Sequence, residues 1–302
     1  TLAPRDVSWN IGVGNPTAGA VTFNLRITLW TTNDLGNELE VRRTLNEGLG
    51  PWYRYESGSS MAAAHVAGTL ALMQEFFEKR GRTNSPALMK ALLINGARSL
   101  NPLYDFEVRT LHNYQGWGRV NLPTTLPPAL TNTGPAHRGS LIFYDQNPTN
   151  ALVTGDRHVR LLTLTEEARA LPLRITLVWT DPPGNPVAGV KLVNDLDLVV
   201  TNLDTGEVFF GNDIPGGSDF TQPWSTNEPP RTDHVNNVEN VFLAPPLGTN
   251  YSVTVLGRRV NVNAVSAHTN NIAQDYALVI SSGDGDLADA ITVTELPSPG
   301  GV

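Results

Sequence analysis

Apolar and polar positions follow three rhythms along this chain, and each predicts a different kind of element. Through residues 1–57 the apolar runs Ala20 to Trp30 and Glu38 to Leu45 flank the turn-like Thr32-Asn33-Asp34-Leu35-Gly36-Asn37, which predicts strands and loops. From Ser60 to Arg80 small residues give way to Leu70, Met73, Phe76 and Phe77 at helical spacing, and Gly81 closes the predicted helix. Ser85 as N-cap and Pro86 at the first helical position announce a second helix, running through Leu88, Ala91, Leu92 and Ile94 toward Gly96. The passage Leu122 to Pro135 breaks the pattern, because Pro123, Pro127 and Pro128 do not fit inside regular elements, and a domain boundary is expected there. Beyond it β-branched runs recur between turns: Ser140 to Tyr144, His158 to Thr165, Leu173 to Trp179, Val190 to Asn202, Glu207 to Gly211, Val238 to Leu243, Tyr251 to Leu256 and Tyr276 to Ser281. With no helical stretch of comparable strength among them, these runs predict an antiparallel β-sandwich of the jelly-roll type.

Length and composition narrow the reading. At 302 residues the chain is about twice a typical domain, so two cores are expected. Apolar residues make up 40% and charged residues 17%, enough to build a core without wholesale disorder. The net charge of -8, with no Lys/Arg run, excludes nucleic acid as the expected partner. No stretch approaches the roughly 20 apolar residues that span a bilayer. The chain starts at Thr1 without a Met or a secretory signal, so its start reads as processed or truncated. Having no cysteine, it has neither disulfides nor thiolate zinc sites.

The most specific feature is Ser57-Gly58-Ser59-Ser60-Met61-Ala62-Ala63-Ala64-His65-Val66-Ala67-Gly68. It resembles the nucleophile motif of the subtilisin-like serine proteases, Gly-Thr-Ser-Met-Ala-x-Pro-His-Val-Ala-Gly, with Ser60 at the nucleophile position. A helix N-terminus offers unpaired N–H groups and a partial positive charge where an oxyanion would form, which suits that role. Ser59 stands where the family has Thr, and Ala64 where it has Pro. The plainer reading of Ser60 is an N-cap serine. His65 lies five residues on along the same helix, nearly one and a half turns away, beyond reach of the Ser60 hydroxyl, and is read as a packed helix histidine.

A hydrolase of this kind needs a general base and an orienting carboxylate. In the family both precede the serine, and an oxyanion Asn sits roughly 65 residues upstream of it, whereas 59 residues precede Ser60 here. Asp34-Leu35-Gly36 only imitates the aspartate motif, and His112, His137, His158, His234 and His268 all follow the serine. The expectation is therefore an endopeptidase incomplete in this chain alone, whose Asp, His and Asn lie on a missing or separate N-terminal portion of the same protease. The alternative is a catalytically inactive relative kept for binding or assembly.

The resemblance continues downstream. Ser85 to Ala97 is similar to the family's second helix, and Gln115-Gly116-Trp117-Gly118-Arg119-Val120-Asn121 to the segment closing its catalytic domain. Ile175 to Asp181, Leu192 to Leu198, Gly211-Asn212-Asp213 and Asn236 to Val241 resemble the C-terminal jelly-roll domain of KP-43-type alkaline proteases. Strand alternation puts Asp195 and Asp197 on one face and Leu196 and Leu198 on the other. Together with Asp213 and Glu239 they form the expected calcium ligands, helped by the resemblance, while the plainer reading is a solvated acidic face. Trp117 and Trp179 are assigned to packing at the domain junction.

The fold expectation is thus the C-terminal portion of an α/β subtilisin-like catalytic domain over 1–125, an all-β jelly-roll sandwich over 136–285 and a tail over 286–302. Residues 1–50 stay unassigned, an insertion being one reading. The functional expectation is part of a secreted serine endopeptidase acting on protein or peptide substrates.

Overall fold

Alternating side chains in the second half of the chain build two antiparallel sheets around a shared core. The computed structural model describes residue 19 and residues 34–55, 58–100, 106–107, 115–126, 138–266, 270–285 and 287–297, with residues 34–38 and 42 described by backbone alone. The run Ala20 to Trp30, Ser57, Pro127, Pro128, His112, His137 and His268 lie outside them. By contacts the chain divides into two compact units, residues 1–61 and 62–302.

In the first unit, helix α1 spans Asp34–Glu47, where the apolar pattern predicts a turn and a strand. Glu38 to Leu45 is rich in Glu, Leu and Arg, all good helix formers, and its charges pair at helical spacing: Arg43 reaches Glu40 at 2.8 Å and Glu47 at 3.4 Å. Propensity and charge spacing therefore override the short apolar run. After α1 the chain turns back, and Asn46 holds Tyr55 through both its carbonyl and its amide.

Helix α2, Ser59–Glu78, begins at the unit boundary and buries only its later half, through Thr69, Met73 and Phe77 at four-residue spacing. Gly81 ends it with φ +65°, a left-handed turn that favours glycine. Helix α3, Pro86–Gly96, starts as predicted: the Ser85 hydroxyl accepts from the Leu88 N–H at 3.0 Å, and Pro86 opens the first turn. A short helix, α4, Leu122–Thr125, packs against the end of α3, where the approach is so close that a side chain at Gly96 would meet Thr125.

The strands are β1 Arg138–Gly139, β2 Leu141–Tyr144, β3 Arg157–Leu164, β4 Leu173–Val178, β5 Asp195–Asn202, β6 Val208–Phe210, β7 Val238–Leu243, β8 Asn250–Arg259, β9 Ala277–Ser282 and β10 Ile291–Glu295. They form a six-stranded sheet, β1-β10-β3-β8-β5-β6, and a four-stranded sheet, β2-β9-β4-β7. Strand β10 lies inside the stretch read as a tail. Its alternating Ile291, Val293 and polar neighbours pair with β3 from Ile291↔Leu164 to Glu295↔Arg160.

Leu196, Leu198 and Val200 of β5 meet Ile175 and Leu177 of β4 and Val241 and Leu243 of β7 in one core between the sheets. The outer face of the four-stranded sheet packs α2 and α3 through Met73, Phe77, Leu88, Ala91 and Leu92 against Phe143, Val238 and Val279. Asn95 pins α3 down from within this layer. It donates to Arg174 O at 3.2 Å and Thr176 Oγ1 at 3.1 Å, and it accepts from Ser281 Oγ at 2.6 Å. Trp117 stacks with Phe106 and meets Phe242 edge-on, and Trp179 is buried in the core between the sheets with its indole N–H on Asn194 O.

Candidate functional site

Ser60 occupies the first turn of α2, and it is exposed, as are Gly58, Ser59 and Met61. The first-turn N–H groups of a helix have no intrahelical acceptor, so the start of α2 presents donors beside the Ser60 hydroxyl. The same half of α2 leaves Ala62, Ala63, Ala64, Ala67 and Gly68 exposed. From Ser59 to Gln74 the helix carries no Asp, Glu, Lys or Arg. His65 is also exposed, which corrects its reading as a packed histidine. The buried stripe begins only at Thr69, one turn later, and His65 contributes its backbone carbonyl to the Thr69 hydroxyl at 3.0 Å.

A second cluster lies at the start of β5. Leu196 and Leu198 enter the core as alternation requires, and a register shift falls between Asp195 and Leu196. Asp195 and Asp197 project the other way, yet they are only 3% and 2% exposed, so the solvated acidic face is ruled out. Glu239 arrives from β7 at 1% exposure. Its Oε2 accepts from the Leu198 N–H at 2.6 Å, at the point where β5 extends beyond its partner β6.

Each acid has one oxygen engaged and one without a partner. Asp197 Oδ2 accepts from Arg258 Nη1 at 2.8 Å, and Asp195 Oδ2 lies 3.2 Å from His234 Nδ1. Asp195 Oδ1, Asp197 Oδ1 and Glu239 Oε1 are buried with no hydrogen-bond partner. Burial first, and then the neighbouring Asp197, raise the carboxyls of both Glu239 and Asp195 above the usual carboxylate range, Glu239 well above it. The orphaned oxygens of Asp195 and Asp197, with His234 beside them, are donors that a hard divalent cation would satisfy, and Glu239 adds a third unpartnered oxygen in the same charged neighbourhood.

Ligand atoms of Asp195, Asp197 and His234 all lie within 4.8 Å of one another. Of the residues the sequence nominated, Asp195 and Asp197 are brought together, and Glu239 lies near enough to feel their charge but outside this close set. Asp213 is not in this set, and its carboxylate stands 4.0 Å from Arg231. His234 and Arg258 were not nominated. His234 sits in a loop 39 residues from Asp195. Arg258 comes from the neighbouring strand β8, and only the sheet pairing reveals it.

Residues 32–118, which contain α1, Ser60 with the helix α2 that carries it, and α3, match the family model Peptidase_S8, described as the subtilase family. Among curated proteins, three from Dictyostelium discoideum are similar to this chain. Serine protease/ABC transporter B family protein tagA is 29% identical over 240 residues, covering 76% of this chain and 12% of the relative. The tagD protein of the same description is 27% identical over 228 residues, with 63% and 12% covered, and tagB is 27% identical over 248 residues, with 68% and 13% covered. The chain thus spans about an eighth of the length of the curated relatives it matches.

Proposed function

We propose that this chain supplies the nucleophile-bearing part of a secreted subtilisin-like serine endopeptidase acting on protein or peptide substrates. The observation that carries the reading is Ser60, exposed at the first turn of α2 inside the Gly58 to Gly68 motif and inside the segment that matches the subtilase family model.

In this reaction the Ser60 hydroxyl attacks the scissile carbonyl carbon and its proton passes to a histidine base. The Ser60 N–H, at the positive end of α2, stabilises the oxyanion, and water then releases the acyl group. The histidine, its orienting aspartate and the side-chain oxyanion donor come from polypeptide beyond these 302 residues, on the same protein or on a separate chain. The far greater length of the similar proteins leaves room for such a segment.

Reading the sandwich as a jelly roll is supported by its strand orders, β2-β9-β4-β7 facing β3-β8-β5-β6, which interleave sequence-distant strands as two Greek keys do. Calcium is the proposed cation at the β5 cluster, supported by the orphaned oxygens of Asp195, Asp197 and Glu239. Bound there, it would tie β5 to β7 and stabilise the sandwich rather than take part in catalysis.

The test is Ser60→Ala in the protein together with its upstream segment. Peptide hydrolysis should fall by about 10³-fold or more while Tm stays unchanged, because Ser60 is exposed. Activity retained in that variant would overturn the assignment.

A further inference from the structure

A cavity of about 540 Å³ opens at one end of the sandwich, lined by Tyr144, Arg160, Tyr276 and Glu295, with Phe77 and Phe143 as apolar wall. It is separate from both clusters described above. Arg160 stands on the inward face of β3, only 5% exposed, with its guanidinium 4.0 Å from the centre of the Tyr144 ring. Burying a cation this deeply is costly unless its donors are met.

The donors and acceptors around it do not balance. Arg160 Nη1 donates to Tyr276 Oη at 2.9 Å, and Tyr276 Oη lies 2.8 Å from His158 Nδ1. Burial, and then Arg160, lower the His158 pKa and favour the neutral ring. Tyr276 Oη is thus shared between Arg160 and His158. Arg160 Nε and Tyr144 Oη remain buried without partners. Both are donors, since burial pushes the Tyr144 phenol up to about 12 and keeps it protonated.

Two carboxylates line the cavity beside them. Asp145 is consumed by Ser85, accepting from its N–H at 3.0 Å and its hydroxyl at 2.5 Å, and by the Gln146 N–H at 2.7 Å. Glu295, the cross-strand neighbour of Arg160 and 40% exposed, stops 3.6 Å from Arg160 Nε, too far for a hydrogen bond.

The site is short of acceptors. We propose that this cavity binds a carboxylate attached to an apolar body, such as the C-terminal end of a peptide. Arg160 and Tyr144 would donate to the carboxylate, Glu295 would swing aside as a resident placeholder, and Phe77 and Phe143 would receive the apolar part. The inference does not depend on the role of Ser60.

Calorimetric titration of the full chain with acetyl-trialanine as its free acid, with the same peptide as its amide, and with acetate tests it. The acid should bind saturably and at least 10-fold more tightly than the amide. Arg160 is too buried for a clean deletion, so Tyr144→Phe is the informative variant. It removes a hydroxyl that makes no close hydrogen bond in the free protein, and should change Tm little while weakening the acid several-fold. Glu295→Gln should tighten binding several-fold by removing the competing charge. Acetate binding as well as the peptide acid would support the carboxylate site and assign it to small acids instead of chain ends. Acid and amide binding alike, no binding of either acid, or an unchanged affinity in Tyr144→Phe would overturn the proposal.

Discussion

His158 and Glu239 show how much individual buried groups in this protein depend on protonation. The folded-state pKa of His158 lies below its unfolded value, because burial and Arg160 disfavour the charged ring. The unfolded chain therefore takes up the proton first as pH falls. The contribution of His158 to stability is complete above the unfolded value of about 6.5 and is lost as pH drops below it. His158→Asn keeps an acceptor near the Nδ1 position, so chemical denaturation from pH 7.5 to 5.5 should show a shallower loss of stability in the variant. An identical slope would contradict this.

Glu239 has the opposite sign. Its raised folded-state pKa means that it costs stability as pH rises above the unfolded value of about 4.3, when no cation is bound. Glu239→Gln should stabilise the chelator-treated protein by about 1–2 kcal/mol. With calcium bound as proposed, the wild type should gain Tm on adding calcium, and the same variant should abolish that gain. A calcium response that survives it would remove Glu239 from the proposed ligand set.

At the scale of elements, what the sequence revealed depended on where each signal resides. α3 was legible because its start is encoded locally by Ser85 and Pro86, and α2 because its motif and later apolar stripe agree. α1 was not, because Leu39, Val41 and Leu45 lack a clean helical period and remain exposed, so charge pairing and propensity decide. β10 carries a legible alternation, but its position beyond the last strong run made it read as a tail.

Asn95 was not singled out either. An Asn near the end of a helix reads as a cap until the sheet beneath it shows three buried partners. Asn95→Ala leaves those groups unsatisfied and should cost about 2–4 kcal/mol in urea denaturation. A loss below about 0.5 kcal/mol would show that α3 is held by its apolar face alone.

At the scale of the whole molecule, two antiparallel sheets and their shared core follow from alternation that is visible along the chain, whereas sheet order and the β5 cluster come from pairings between distant residues. Asp195 and Asp197 could be read from their spacing. Their burial could not, because the groups that meet them, Arg258 from β8 and His234 from a distant loop, are brought in by the fold. The proposed nucleophile is legible because its motif is contiguous, and its reactivity is not, because the partners of a serine nucleophile are gathered in space and not in sequence.

The central claim is that Ser60 becomes a nucleophile when the rest of the catalytic machinery is present. The most direct measurement is fluorophosphonate labelling of the protein together with its upstream segment, followed by peptide mapping. The account predicts an adduct on Ser60 that is absent from Ser60→Ala and from protein denatured before labelling. An intact, folded protein carrying that segment and left unlabelled at Ser60 would contradict it.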